Sequence, residues 1–231
     1  ISIDQLFQEG AWAGNPNKLI DKFNNGSYYL KVYSMIDNQL IFSEGFNCIF
    51  GEYCTTQPAK RGNNKTGLES VRFPFPKSPV HVVIEKRNRK NILQPVFSST
   101  IHPEDDRIVR EKSHSSVCTF VHQKNGDSRF KVDLVFIAEG YTQQQHKKFK
   151  DDVSHFAKVL FKAEPYKNNQ RLFNIYGAFR ASSESDVDQP TKSIFKNTAL
   201  SASFNALNIP RYLLVDDHRA MRNIAATVPY D

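Results

Sequence analysis

Seven histidines and three cysteines are the residues of this 231-residue chain best suited to hold a metal ion, so their spacing comes first. None of His81, His102, His114, His122, His146, His155 and His218 opens an H-E-x-x-H sequence, which would set two zinc ligands and a glutamate on one helix face. His114, Cys118 and His122 come nearest, four residues apart. The surrounding Ser116-Val117-Cys118-Thr119-Phe120-Val121 is strand composition, and along a strand each of the three would stand about 13 Å from the next. One ion cannot bridge that, so no metal centre is expected within this chain. No glycine-rich phosphate loop and no G-x-S-x-G elbow occurs either. The residues contain no complete catalytic site.

What remains is polar. Glu139, Tyr141, the run Ser182-Ser183-Glu184-Ser185-Asp186-Val187-Asp188 and the pair Asp216-Asp217 all follow apolar segments. In α/β sheets, ligands bind in the crevice beyond the carboxyl ends of the strands, where these residues would project. Asp216-Asp217 also reads as a helix N-cap. Glu139 has two readings, a hydrogen bond that fixes a turn or a role in a site. Glu184, Asp186 and Asp188 have the oxygens for a Ca²⁺ ion, against the plainer reading of a surface loop. Glu139, Tyr141 and Asp188 are the candidate cleft residues.

The elements that would position them fall into two textures. Over residues 1–112 short β-forming runs recur at 27–35, 40–42, 46–50, 71–75, 80–84 and 92–97, with turn residues between. That pattern predicts an all-β sandwich or barrel, and two packed sheets would bury one face of each strand. Around 101–116 the chain turns polar and rich in breakers, a solvated linker. From 113 onward strand and helix alternate. Val132 to Ala138 is a nearly continuous apolar run, the mark of a strand covered on both faces. Thr142 and Gln145 form a capping box ahead of a helix whose stripe is Phe149, Val153, Phe156, Ala157, Leu160 and Phe161, stopped at Glu164-Pro165. Strands at 172–176 and 212–215 and a second helix carrying Met221, Ile224, Ala225 and Val228 complete a small α/β sheet.

The net charge of +7 raises the question of nucleic acid, but the basic residues are scattered. The densest cluster, Lys86 to Lys90, lies between two alternating apolar runs and reads as a solvated hairpin tip rather than a phosphate-tracking stripe. No nucleic-acid partner is expected, and no apolar run approaches the roughly 20 residues of a membrane span. Cys48 and Cys54 pair only if a turn at Gly51 brings them together; otherwise the three cysteines are buried free thiols.

Several stretches resemble one known family. LFQEGAWAGNPNKLIDK (6–22), GFNCIFGEYCTT (45–56) and ESVRFPFPKSPVHVVIEKR (69–87) are similar to the N-terminal domain of the IgA peptidase family of zinc metallopeptidases. VDLVFIAEGYT (132–142), FNIYGAFRASSESDVDQP (173–190) and NTALSASFNALNIPRYLLVDD (197–217) resemble the opening of that family's catalytic domain. One departure is Asp186, where the resemblance leads one to expect Gly. The resemblance implies a β-sandwich followed by an incomplete, zincin-like three-layer α/β domain. It also implies a secreted, periplasmic or cell-surface location, protein or peptide substrates, and zinc held in the full-length protein by residues outside this chain. An alternative is a non-catalytic sandwich that binds a surface glycan or protein through Trp12, Tyr28 and Tyr53.

Overall fold

A computed structural model describes residues 1–10, 12–110 and 116–231. The chain divides into two compact units, one formed by Ile1–Gln8 with Asn15–Glu111, the other by Glu9–Gly14 with Lys112–Asp231.

In the first unit β1 (Leu6–Phe7) pairs in parallel with β6 (Ile108–Val109). The main sheet is antiparallel, in the order β3-β2-β4-β5, from β2 (Tyr28–Ser34), β3 (Leu40–Phe46), β4 (Val80–Arg87) and β5 (Leu93–Ile101). Leu30 and Val32 lie opposite Ile84 and Val82, and Leu30, Val32, Val80 and Val82 are buried. On the other face Lys31 pairs with Glu85 at 2.8 Å, across two adjacent strands. The basic cluster does cap a hairpin. Asn88 Oδ1 accepts from the amides of Lys90 and Ile92, while Arg87 donates to the carbonyls of Gly26, Asn24 and Asn91.

Several expectations for this unit need correction. The predicted strand at 46–50 is replaced by the end of β3 and a short helix, α1 (Phe50–Tyr53). Asn47 Oδ1 accepts from Ser27 N, and the next amides bond locally, Tyr53 N to Ile49 O and Cys54 N to Phe50 O. A second short helix, α2 (Gln57–Lys60), follows. The predicted strand at 71–75 does not form, since Pro74 and Pro76 remove the donors a ladder needs. With these two runs absent, one four-stranded sheet and the small β1–β6 pair stand where a full sandwich was expected. The supposed linker is structured as far as β6, where Ile108 is buried and Arg110 donates to the carbonyls of Pro103 and Asp105. The cysteines are free, but Cys54 and Cys118 are exposed and Cys48 is half-buried rather than buried. Tyr28 stacks on Phe46, and Tyr53 donates to the Asn63 carbonyl.

The second unit holds a three-stranded sheet in the order β7-β9-β8. Here β7 is Cys118–Gln123, β8 is Val132–Ile137 and β9 is Phe173–Phe179. β8 and β9 run parallel, while β7 is antiparallel to β9. The Thr142–Gln145 capping box is present, with Thr142 N donating to Gln145 Oε1 at 2.9 Å, ahead of α3 (His146–Leu160). α3 buries Phe149, Val153 and Ala157 against Ile175 and Phe179, whereas Phe156 is exposed. Each large apolar side chain buried this way contributes about 1.5–3 kcal/mol. On the opposite face Val135, Ile137 and Ala178 pack against Ile224 and Met221 of α4 (His218–Ala225). The period-two alternation of β8 thus feeds a helix on each side of the sheet.

The third strand is not at 212–215. Leu214 makes only a single bridge to Ser203, and Tyr212 N turns back to the Ile209 carbonyl. Asn205, Leu207 and Asn208 take left-handed backbone just before it, which breaks the extended run. No helix among the described residues is long and apolar enough to cross a membrane.

Candidate functional site

Because β8 and β9 are parallel, their carboxyl ends emerge at the same edge of the second unit's sheet. The two loops that leave this edge are hydrogen-bonded to each other. Ser182 N donates to the Tyr141 carbonyl at 2.8 Å, Gly140 N to Ser182 Oγ at 3.1 Å, and Asp186 N to the Gly140 carbonyl at 3.0 Å. Gly140 has φ +70°, and a Cβ there would lie 2.6 Å from the Asp186 carbonyl oxygen. Only glycine fits that approach. Asp186 itself has φ +76°, so the position where the resemblance leads one to expect glycine does adopt left-handed backbone. Its carboxylate accepts from Val187 N at 2.9 Å, the local bond that lets aspartate tolerate the conformation.

Glu139 is the hub of this edge. Its carboxylate accepts from Leu200 N at 2.8 Å, from Ala202 N at 2.9 Å and from Thr198 Oγ1. One side chain at the end of β8 therefore holds three points of the 198–202 segment. Ser182, which is buried, accepts from Ala199 N at 3.0 Å in the same segment.

Asp188 works beside it. Its carboxylate accepts from Lys196 N at 2.6 Å, and its backbone joins Ala202 and Phe204. Ser203 bridges Asp188 on one side and Leu214 on the other. Glu184 accepts from Asn197 N at 2.8 Å and pairs with Lys196 at 3.2 Å. The Asn197 amide, then Lys196, lowers its pKa. Glu184, Asp186 and Asp188 each have their own partners, and among the described residues no three His, Cys, Asp or Glu side chains group to hold a metal ion. Glu184, Asp186 and Asp188, each bound to its own partners, therefore do not converge as a Ca²⁺ site. Cys118 and His122 lie on β7, and His114 falls outside the described residues.

Tyr141 faces elsewhere. Its ring packs edge-on against Phe149 of α3, and its hydroxyl donates to Asp152 at 2.7 Å. Burial first, then the Asp152 carboxylate, pushes its pKa up to about 12. The Lys148 ammonium, followed by the Tyr141 hydroxyl, holds Asp152 below the usual carboxylate value. Of the Asp216-Asp217 pair only Asp217 caps α4, accepting from Ala220 N at 2.9 Å.

Beside these anchors lies a cleft of about 220 Å³ lined by Pro190, Ser201, Ser203, Phe204, Asn205, Ala206, Leu214 and Asp216. Sequence reasoning placed Asp216 near a crevice but missed the segment 201–206. Its local signal is the run from Asn197 to Asn205, small or polar except for Leu200 and Phe204.

The second unit is thus an α/β layer with one edge built up by interlocked polar loops into the wall of a cleft. Comparison with known families places it. A model described as Peptidase M64 N-terminus matches residues 1–98, and one described as IgA Peptidase M64 matches residues 121–231. The chain belongs to the IgA peptidase M64 family, and its function is peptidase-related at the level of that family. No curated protein matches it.

Proposed function

We propose that these residues are the N-terminal portion of a secreted bacterial zinc-dependent endopeptidase that hydrolyses peptide bonds in protein substrates. In this reading the zinc-binding motif lies outside the 231 residues. The observation that carries it is the pair of family matches, which follow one another along the chain in the order of a front domain and a peptidase domain. In this reading a front domain over 1–112, built on the antiparallel β3-β2-β4-β5 sheet, precedes a zincin-like α/β domain over 113–231. The latter supplies one wall of the substrate cleft, beyond the carboxyl ends of β8 and β9. Glu139 and Asp188 are positioning residues there, since their carboxylates fix the backbone of the segments that form the wall. Tyr141 anchors the opening of the loop against α3. No step through zinc is assigned to this chain's own residues.

The test is made on the full-length protein. Produced in zinc-replete medium, it should contain about one zinc per chain and cleave an unfolded protein substrate. A metal-free, inactive full-length protein refutes the reading. Asp188→Ala in that protein should lower turnover more than Tm, whereas equal loss of both leaves Asp188 a purely structural residue.

A further inference from the structure

We infer that the cleft walled by Pro190, Ser203, Phe204, Asn205, Leu214 and Asp216 is a subsite for a cationic side chain, lysine or arginine, of an extended peptide; this deepens the peptidase reading and rests on it. At about 220 Å³ the cleft is smaller than the roughly 300 Å³ at which pockets begin to take a whole small molecule, so one side chain is the unit it fits.

Its chemistry is divided. Phe204, Pro190 and Leu214 offer an apolar wall, suited to the methylene stem of a long basic side chain. Asp216 is the one charged residue in the lining. The capping of α4 falls to Asp217, which already accepts from Ala220 N. The Asp216 carboxylate is exposed at the mouth of the cleft, and among the described residues it makes no hydrogen bond or ion pair. An ammonium or guanidinium finds there a carboxylate whose attraction is not already spent on a neighbour. Asn205 and Ser203, also in the lining, carry side-chain oxygens able to accept from the several donors of arginine. A carboxylate ligand meets like charge instead.

The backbone that holds these groups is fixed. Ser203 and Leu214 exchange two hydrogen bonds, at 3.0 and 3.1 Å, and Phe204 N donates to the Asp188 carbonyl at 3.0 Å. Glu139 grips Ala202, the residue before them. Asn205 takes φ +63°, a conformation that costs energy and persists where the surroundings hold it in place.

The test is a titration of this chain with N-acetyl-arginine amide, N-acetyl-lysine amide and the neutral isostere N-acetyl-citrulline amide, followed by amide NMR shifts at low ionic strength. The cationic probes should shift residues 203–206 and 214–216 saturably, and citrulline should bind about two- to fivefold more weakly, the range of an exposed ion pair. Asp216→Asn should weaken the cationic probes about two- to fivefold and leave citrulline unchanged, while Asp216→Glu should retain most of the affinity. Equal binding of citrulline and arginine, cation binding that ignores Asp216→Asn, or shifts confined to other residues would each overturn the subsite. The readout needs neither metal nor hydrolysis. A negative result therefore removes the subsite alone, and a zinc-free full-length protein removes the peptidase reading alone.

Discussion

Glu139 offers the most direct test of how the wall is held. Its carboxylate serves three donors, and two of them are backbone amides of the 198–202 segment. A net hydrogen bond is worth about 1 kcal/mol and one to a charged acceptor about 1.5–3 kcal/mol, but these groups are only part-buried and water replaces some of the loss. Glu139→Ala should therefore cost about 3 kcal/mol. Glu139→Gln is more instructive, because an amide has only one acceptor oxygen. With that oxygen on Thr198 and Ala202, its NH₂ faces Leu200 N; flipped, it faces Ala202 N. Either way one backbone N–H meets a donor, and the expected loss is about 1–2 kcal/mol. Equilibrium urea unfolding measures the cost, and hydrogen exchange at the Leu200 and Ala202 amides locates it. The glutamine variant should deprotect one of the two and the alanine variant both. Should Glu139→Ala cost under about 1 kcal/mol with both amides still protected, the carboxylate is not what holds the segment.

Two further outcomes follow from neighbouring contacts. Gly140→Ala places a Cβ 2.6 Å from the Asp186 carbonyl oxygen at φ +70°, and should cost about 2–4 kcal/mol in denaturant unfolding; a loss below about 1 kcal/mol would mean the two loops separate freely. Tyr141→Phe removes the bond to Asp152 and should cost about 0.5–1.5 kcal/mol at neutral pH. The folded-state pKa of Tyr141, about 12, lies above its ordinary value of 10.0, so the phenol's contribution is complete below pH 10 and is lost as pH rises toward 12. The stability gap between wild type and Tyr141→Phe should accordingly shrink across that window, and a gap constant from pH 9 to 12 contradicts the assignment.

Much of the second unit was legible because its signals are local. The apolar run of β8, the Thr142–Gln145 box and the spacing of Phe149, Val153 and Ala157 each lie within a few residues of one another. The hairpin of β4 and β5 was readable for the same reason, alternation on either side of a polar tip. Residues 46–50, 71–75 and 212–215 have strand composition too, but a strand also needs a neighbour and free donors. The first curls into α1, the prolines strip the second, and turns on both sides leave the third a single bridge. The site was legible only in outline. Glu139 meets partners 59 to 63 positions away, a distance over which spacing carries no information. The different duties of Asp216 and Asp217 emerge only when the helix start is seen.

The placement of Glu9–Gly14 with the second unit has a practical meaning for anyone dissecting the protein. The second unit is discontinuous in sequence, since it draws on Glu9–Gly14 as well as on the stretch that begins at Lys112. Gly10 runs so close to the end of α4 that a Cβ there would sit 3.3 Å from the Ala226 carbonyl. A gene fragment starting near residue 116 would therefore encode the sheet and both of its helices, yet leave behind six residues of its own fold.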